Sequence, residues 1–163
     1  METTFKLNQQ IVYPLQGVGQ ITSIEEKKFK NKNLLYYVIY LPVTDMTIMV
    51  PVDKAAELGI RAIVSESESR KALQLISEEY EAVTADWKMR YQMNLDLLKS
   101  GSIMDIAVVV RTLYHRSKVK ELPILERKLF DDALKILTDE VSFSLDKSKK
   151  EIEQLIFSKL EAD

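Results

Sequence analysis

The chain has 163 residues, and its composition of 46% apolar and 29% charged residues is typical of a folded globular protein. It contains no cysteine and a single histidine, His115, which excludes disulfides, thiolate metal sites, a cysteine nucleophile and paired-histidine metal sites. The formal net charge is −2, no apolar run approaches the roughly 20 residues of a membrane helix, and the start lacks a signal-peptide pattern, so we expect a cytoplasmic protein without membrane contact.

The N-terminal third of the sequence predicts β structure. Four segments rich in Val, Ile, Thr and Tyr are separated by turn residues: Ile11–Pro14, Gly17–Glu26, Leu34–Leu41 and Met46–Pro51. The polar stretch over residues 29–33 predicts a hairpin turn. Both alternating faces of Tyr36–Leu41 are apolar, so we expect this strand to be covered on both sides, as in a small sheet curled into a barrel. A short helical turn over Asp53–Leu58, ended by Gly59, follows.

After about residue 65 the apolar residues recur with a helical period. Helices are predicted over Ser67–Ser77, over Trp87–Ser100, from Ile103 onward, after Pro123 and around Ile152–Leu160. Glu78–Asp86 has no apolar stripe and is predicted to be a loop that presents Trp87. We therefore expect an α+β protein, with a small β barrel over residues 1–62 followed by an all-α helical domain over residues 63–163.

Charge is unevenly distributed along the chain. Residues 1–86 carry nine basic and twelve acidic side chains, residues 87–128 carry nine and four, and residues 129–163 carry five and nine. The central block is therefore basic, as expected of a surface that binds a polyanion.

Trp87, the only tryptophan, begins the basic block and has two interpretations. It falls on one helical stripe with Tyr91, Leu95 and Leu98, which favours a place in the core. Alternatively, an aromatic ring flanked by Lys88 and Arg90 can unstack a base step while the cations hold phosphates. Both interpretations remain open on the residues alone.

No constellation typical of an enzyme, metal site or cofactor site emerges, so we expect none of these. Gly17-Val18-Gly19 lacks the third glycine, the following helix and the Lys-Ser/Thr of a phosphate loop, which favours a strand-entry turn. His115 shares a polar helical stripe with Arg111 and Lys118, and no carboxylate that would orient its ring is evident. A surface or phosphate-contact role is favoured over catalysis.

The chain resembles the CarD/CdnL family of bacterial regulators that bind RNA polymerase. The resemblance is carried, in order, by Phe5-Lys6, Ile11-Val12-Tyr13-Pro14, Gly17-Val18-Gly19, Thr47–Pro51, Ala55–Arg61, Asp86–Tyr91, Lys99-Ser100-Gly101, Val108–Leu113 and Glu126-Arg127-Lys128. These segments span nearly the whole chain with similar spacing, and the ordered set is more specific than any one piece.

The resemblance implies a Tudor-like N-terminal barrel and a helical domain that contacts promoter DNA at the upstream edge of the melted bubble, with little sequence specificity. In the family, the tryptophan matching Trp87 wedges into the minor groove and stabilises the open complex. Arg90 matches a basic DNA-contacting position, and Lys88 lies in the same segment. Gln92 stands where relatives often have another basic residue, so Arg111 is a further candidate for phosphate contact.

The resemblance also implies that the barrel docks on the β subunit of the polymerase. The candidate contacts are Lys27, Thr47, Ile48, Met49 and Pro51. Met49 and Lys27 replace arginines of some relatives, so either docking depends more on apolar contact or the partner surface differs. We expect a monomeric activator without a cofactor. The alternative is a protein-interaction adaptor whose helical half binds a partner helix and makes no direct DNA contact.

Overall fold

A computed structural model of the chain describes residues 3–78 and 86–161. The chain divides into two compact units, residues 1–63 and residues 64–163, which we call the β module and the helical domain. An antiparallel sheet precedes a set of helices, which confirms the expected α+β fold with a C-terminal helical domain. The predicted loop Glu78–Asp86 lies mostly at residues 79–85, outside the described residues.

The β module contains β1 (Gln10–Tyr13), β2 (Gly17–Phe29), β3 (Lys32–Leu41), β4 (Met46–Pro51) and β5 (Arg61–Ala62). All neighbouring strands are antiparallel, in the order β4-β3-β2-β1-β5. β5 was not predicted, because a strand of two residues is too short to show a periodic pattern. A register shift between Ile21 and Ser23 interrupts the ladder of the long strand β2 and lets it bend over the core. β4 is left at one edge of the sheet.

Strand β3 is fully buried on one face and only partly covered on the other, so the expectation of two covered faces holds in part. Its core-facing side chains are fully buried: Tyr37, Ile39 and Leu41. The alternate residues Tyr36, Val38 and Tyr40 remain half-buried. Tyrosine explains the misleading pattern, since its ring is apolar while its hydroxyl can stay hydrated. The Tyr40 hydroxyl donates to Asp45 Oδ1 at 2.7 Å, which raises the pKa of Tyr40 because the hydrogen bond favours the protonated phenol.

The helical domain contains α1 (Glu66–Ile76), α2 (Trp87–Ser100), α3 (Ile103–Val119), α4 (Ile124–Leu145) and α5 (Lys149–Leu160). α2 has the predicted bounds, and α1 begins and ends one residue earlier than predicted. The core includes Ala107, Val110 and Leu113 of α3 together with Ala133 and Leu137 of α4. Small residues at the α3–α4 contact allow close helix packing, and α3 contacts α1, α2 and α4. The N-terminal end of α2 and the C-terminal end of α3 carry the candidate site.

Candidate nucleic-acid interface

Trp87 is the first residue of α2, and local capping fixes its position. Asp86 Oδ1 accepts a hydrogen bond from the backbone N–H of Met89 at 2.9 Å, so the helix begins at Trp87. Gly101 ends the helix in the left-handed conformation, with φ of 77°. The Trp87 side chain is left 40% exposed.

The core interpretation of the α2 stripe holds for only part of the stripe. Leu98 is buried, and Tyr91 and Leu95 are partly buried against the helical core. Trp87 does not belong to that cluster and faces solvent. The periodicity correctly identified the face of α2 that packs on the core. Trp87 lies on the same face, but in the first turn of the helix none of the described core residues covers it.

Trp87 borders a cleft of about 260 Å³, which we call the Trp87 cleft. It is lined by Asp86, Trp87, Arg90, Arg116, Lys120, Glu121 and Pro123. Arg116 and Lys120 lie one turn apart at the C-terminal end of α3, where cations interact favourably with the helix dipole. Among residues 3–78 and 86–161, neither of them has a carboxylate within ion-pair distance. The cleft thus brings two cations, together with the carboxylates of Asp86 and Glu121, beside the exposed indole.

Lys88 contributes a third cation near the ring. Its Nζ lies 6.0 Å from the centroid of the Trp87 ring, at the limit of a cation–π contact. The side chain is exposed, so the same ammonium group remains available to an anion. The predicted neighbours Trp87 and Lys88 are therefore both at the surface.

Arg90 occupies a different environment from the one expected of a phosphate contact. Its Nε donates to Glu126 Oε1 at 2.6 Å and its Nη2 donates to Glu126 Oε2 at 2.9 Å. The two side chains are 5% and 0% exposed. A buried fork-to-carboxylate pair already neutralises the guanidinium, so Arg90 holds α2 against α4. No local pattern indicated this pair, because Glu126 lies on another helix.

Arg111 is also engaged inside the domain. Its Nη1 donates to the backbone carbonyl of Leu75 at 3.2 Å, in the last turn of α1. The same carbonyl also accepts from the backbone N–H of Glu78 at 3.1 Å, so Arg111 adds a second bond at the end of α1. Arg111 therefore connects α3 to α1, while Arg116 and Lys120, which were not predicted, take the positions beside Trp87. The only sequence signal for them was the basic block itself.

The candidate polymerase contacts fall in two places on the sheet. Thr47 and Met49 are exposed on edge strand β4, while Ile48 and Pro51 are half-buried there. An edge strand presents backbone groups that can pair with another chain. Lys27 lies on β2 opposite Leu34, beyond the β3 residues that pair with β4. The structure therefore groups the β4 residues and sets Lys27 apart.

The part of the chain that the structure describes contains neither a candidate metal-binding cluster nor a helix that could span a membrane. Within it, no group of three or more His, Asp or Glu residues is arranged to hold a metal ion. No helix among the described residues is both long enough and apolar enough to cross a membrane. His115 packs edge-on against Tyr114, with ring centroids 5.5 Å apart.

Comparison with known proteins gives matches over both units. The model of the CarD C-terminal domain matches residues 71–157, and the model of the CarD-like/TRCF RID domain matches residues 5–64. The Bacillus subtilis (strain 168) protein named "Putative transcription factor YdeB" is 33% identical over 148 residues, which cover 91% of this chain and 97% of that protein. The similarity therefore extends over the full two-unit arrangement.

Proposed function

The chain belongs to the CarD family of transcription regulators, and we propose that it binds RNA polymerase through the β module and stabilises open promoter DNA through Trp87. The observation that carries this proposal is the exposed indole of Trp87, with the Lys88 ammonium 6.0 Å from its ring centroid and with Arg116 and Lys120 lining the same cleft. An apolar wedge unstacks a base step, and flanking cations hold the phosphates on either side.

The proposed DNA contacts are Trp87, Lys88, Arg116 and Lys120. Arg90 and Arg111 act inside the domain, where each already has a partner on another helix. The minor groove distinguishes base pairs poorly, so such a surface adds little sequence specificity. Specificity then comes from the polymerase, and tethering to it makes the DNA contact effectively intramolecular, so moderate intrinsic affinity suffices.

We expect the double variant Arg116→Gln/Lys120→Gln to bind duplex DNA with a shallower salt dependence. Each phosphate contact contributes about 0.9 to the slope of log K against log salt, so the slope falls by about 2. The measurement is fluorescence anisotropy of labelled duplex over a salt series.

The matched control for this experiment is Lys71→Gln/Lys150→Gln, which removes the same charge from two exposed positions away from the Trp87 cleft. Equal slopes for the two double variants would contradict the assignment of Arg116 and Lys120. A slope near zero for the unaltered protein would show that it makes no phosphate contact with duplex DNA, and would favour the adaptor alternative.

The proposed contact with RNA polymerase lies on the edge strand β4. Thr47 and Met49 are exposed on this edge, and β3 occupies its other side. Added strand pairing supplies backbone hydrogen bonds, and pockets for alternate side chains supply specificity. We assign Thr47, Ile48, Met49 and Pro51 to this contact, with Lys27 as an outlying cation.

We expect Met49→Asp to weaken binding to RNA polymerase at least about tenfold. A carboxylate at this position must lose its water when the polymerase covers the β4 edge, and no new contact offsets that cost. The measurement is biolayer interferometry on immobilised polymerase. Met104→Asp is the control, since Met49 and Met104 are similarly exposed, at 40% and 37%, and Met104 lies in the helical domain. Equal affinities of the two variants would contradict docking through β4.

A further inference from the structure

The β2–β3 hairpin has an outer part that neither the fold nor the proposed function explains. Every residue from 25 to 33 is exposed, so this end of the hairpin lies outside the core of the β module. Four of the six residues 27–32 are lysines. Lys28, Lys30 and Lys32 have no carboxylate within ion-pair distance in the part of the chain that the structure describes. We call Lys28, Phe29, Lys30 and Lys32 the lysine tip.

The lysine tip also contains an exposed aromatic ring, that of Phe29. Phe29 is 55% exposed and lies outside the hydrophobic cluster of the β module. Lys30 Nζ lies 5.4 Å from the centroid of its ring, and Lys32 is its direct cross-strand partner. The Phe29 ring therefore contributes little to the core and lies next to exposed cationic residues.

The turn itself is built at a conformational cost. Lys30 and Asn31 have φ angles of 50° and 64°, the left-handed region that a two-residue hairpin loop requires. Asparagine adopts this region readily, whereas lysine is unfavourable there. Folding alone would favour Asn or Gly at position 30, so the lysine at this position is explained better by a contact than by the turn.

The chemistry of the lysine tip favours nucleic acid over protein as the partner. Protein interfaces are depleted in lysine. Phosphates, by contrast, are readily bound by lysine, because its ammonium group is a point charge on a flexible stem. Cations around an exposed aromatic ring form the stacking platform that binds unpaired bases without sequence preference.

We propose that the lysine tip is a second DNA contact, which binds a single-stranded segment with its phosphates on the lysines and a base on Phe29. The inference concerns a different unit of the chain from Trp87. It rests on the proposed function only in taking promoter DNA as the nucleic acid within reach.

The test uses the full chain and a labelled 20-nucleotide oligo(dT) strand, with a duplex of the same length, over a salt series. Single-strand contacts contribute about 0.7 each to the slope of log K against log salt. The triple variant Lys28→Gln/Lys30→Gln/Lys32→Gln is expected to lower the single-strand slope by about 2. The charge-matched control, which should leave the slope unchanged, is Lys54→Gln/Lys71→Gln/Lys150→Gln.

Two single variants distinguish the contribution of base stacking, and the effect of the turn on stability, from the contribution of the lysine charges to DNA binding. Phe29→Ala is expected to weaken single-strand binding about 5- to 150-fold at an unchanged slope, with duplex affinity within about twofold. Lys30→Asn is expected to raise the melting temperature, because it relieves the turn, and still to lower the slope by about 0.7. A purely structural role for Lys30 predicts the higher melting temperature without the change in slope.

Several results would overturn the proposal. Equal slopes for the tip and control triple variants would exclude phosphate contact, and an unchanged affinity of Phe29→Ala would exclude stacking. Loss of polymerase binding by the tip variant with intact DNA binding would make the tip a protein contact. Trp87→Ala serves as the independent arm. If the tip variants behave like their controls while Trp87→Ala still shortens the open-complex lifetime, this inference fails and the proposed function stands.

Discussion

Replacing Glu126 with leucine is expected to lower the free energy of unfolding by about 3–5 kcal/mol. The substitution removes the carboxylate from a pair whose side chains are 5% and 0% exposed, and the guanidinium of Arg90 stays buried without it. Breaking such a pair by removing one partner costs several kcal/mol, because the remaining charge is desolvated and uncompensated. Urea denaturation of the Glu126→Leu variant measures the change.

The double variant Arg90→Met/Glu126→Leu separates the ion pair from the packing around it. Two apolar side chains of similar volume remove both desolvation costs, so most of the lost stability is expected to return. If Glu126→Leu unfolds at the same urea concentration as the unaltered chain, the pair contributes nothing and our account of Arg90 is wrong.

The same double variant also decides between the two roles of Arg90. If Arg90 contacts a phosphate, its replacement should lower the slope of log K against log salt for duplex DNA by about 0.9. If Arg90 only pairs with Glu126 inside the domain, the slope should stay unchanged. Because the side chain is almost fully enclosed, we expect an unchanged slope.

Local patterns in the sequence were enough to predict most elements of the fold. α2 begins and ends where Asp86, Ser100 and Gly101 indicate, since caps act on neighbouring backbone groups. β4 likewise has its predicted bounds. β2 extends three residues beyond its predicted end, because Lys27–Phe29 continue the ladder without a buried face that periodicity would register.

The candidate site was harder to predict, because it depends on which residues meet across the fold. Arg90 and Arg116 are both cations on helices in the basic block, and nothing nearby in sequence distinguishes them. The structure does, because Arg90 meets Glu126 from α4 while Arg116 lines the Trp87 cleft. Trp87 was the reverse case: helical period favoured the core, and the family resemblance favoured exposure.

Replacing Trp87 with alanine is expected to shorten the lifetime of open promoter complexes about 5- to 150-fold in the presence of the protein. Stacking of one aromatic ring on a base contributes about 1–3 kcal/mol, and each 1.4 kcal/mol is a factor of ten. The indole is 40% exposed at a capped helix start, so its removal leaves the core untouched and folding should be little affected. Trp87→Phe keeps a smaller ring and is expected to retain part of the effect.

Met89→Ala is the matched control for this substitution, because Met89 is an exposed apolar side chain in the same helical turn. It should leave the lifetime near that of the unaltered protein. Met49→Asp supplies a second control, since it keeps Trp87 and removes the expected tether to polymerase. With that variant, the lifetime should approach the value for polymerase alone.

The most direct test of the central claim is the dissociation rate of open complexes after a heparin challenge, measured with no protein, the unaltered protein and the Trp87→Ala variant. We expect the unaltered protein to lengthen the lifetime about 5- to 150-fold, and we expect Trp87→Ala to lose most of this gain while still binding polymerase. Equal lifetimes for Trp87→Ala and the unaltered protein, with both bound to polymerase, would contradict the role of Trp87 in holding promoter DNA open.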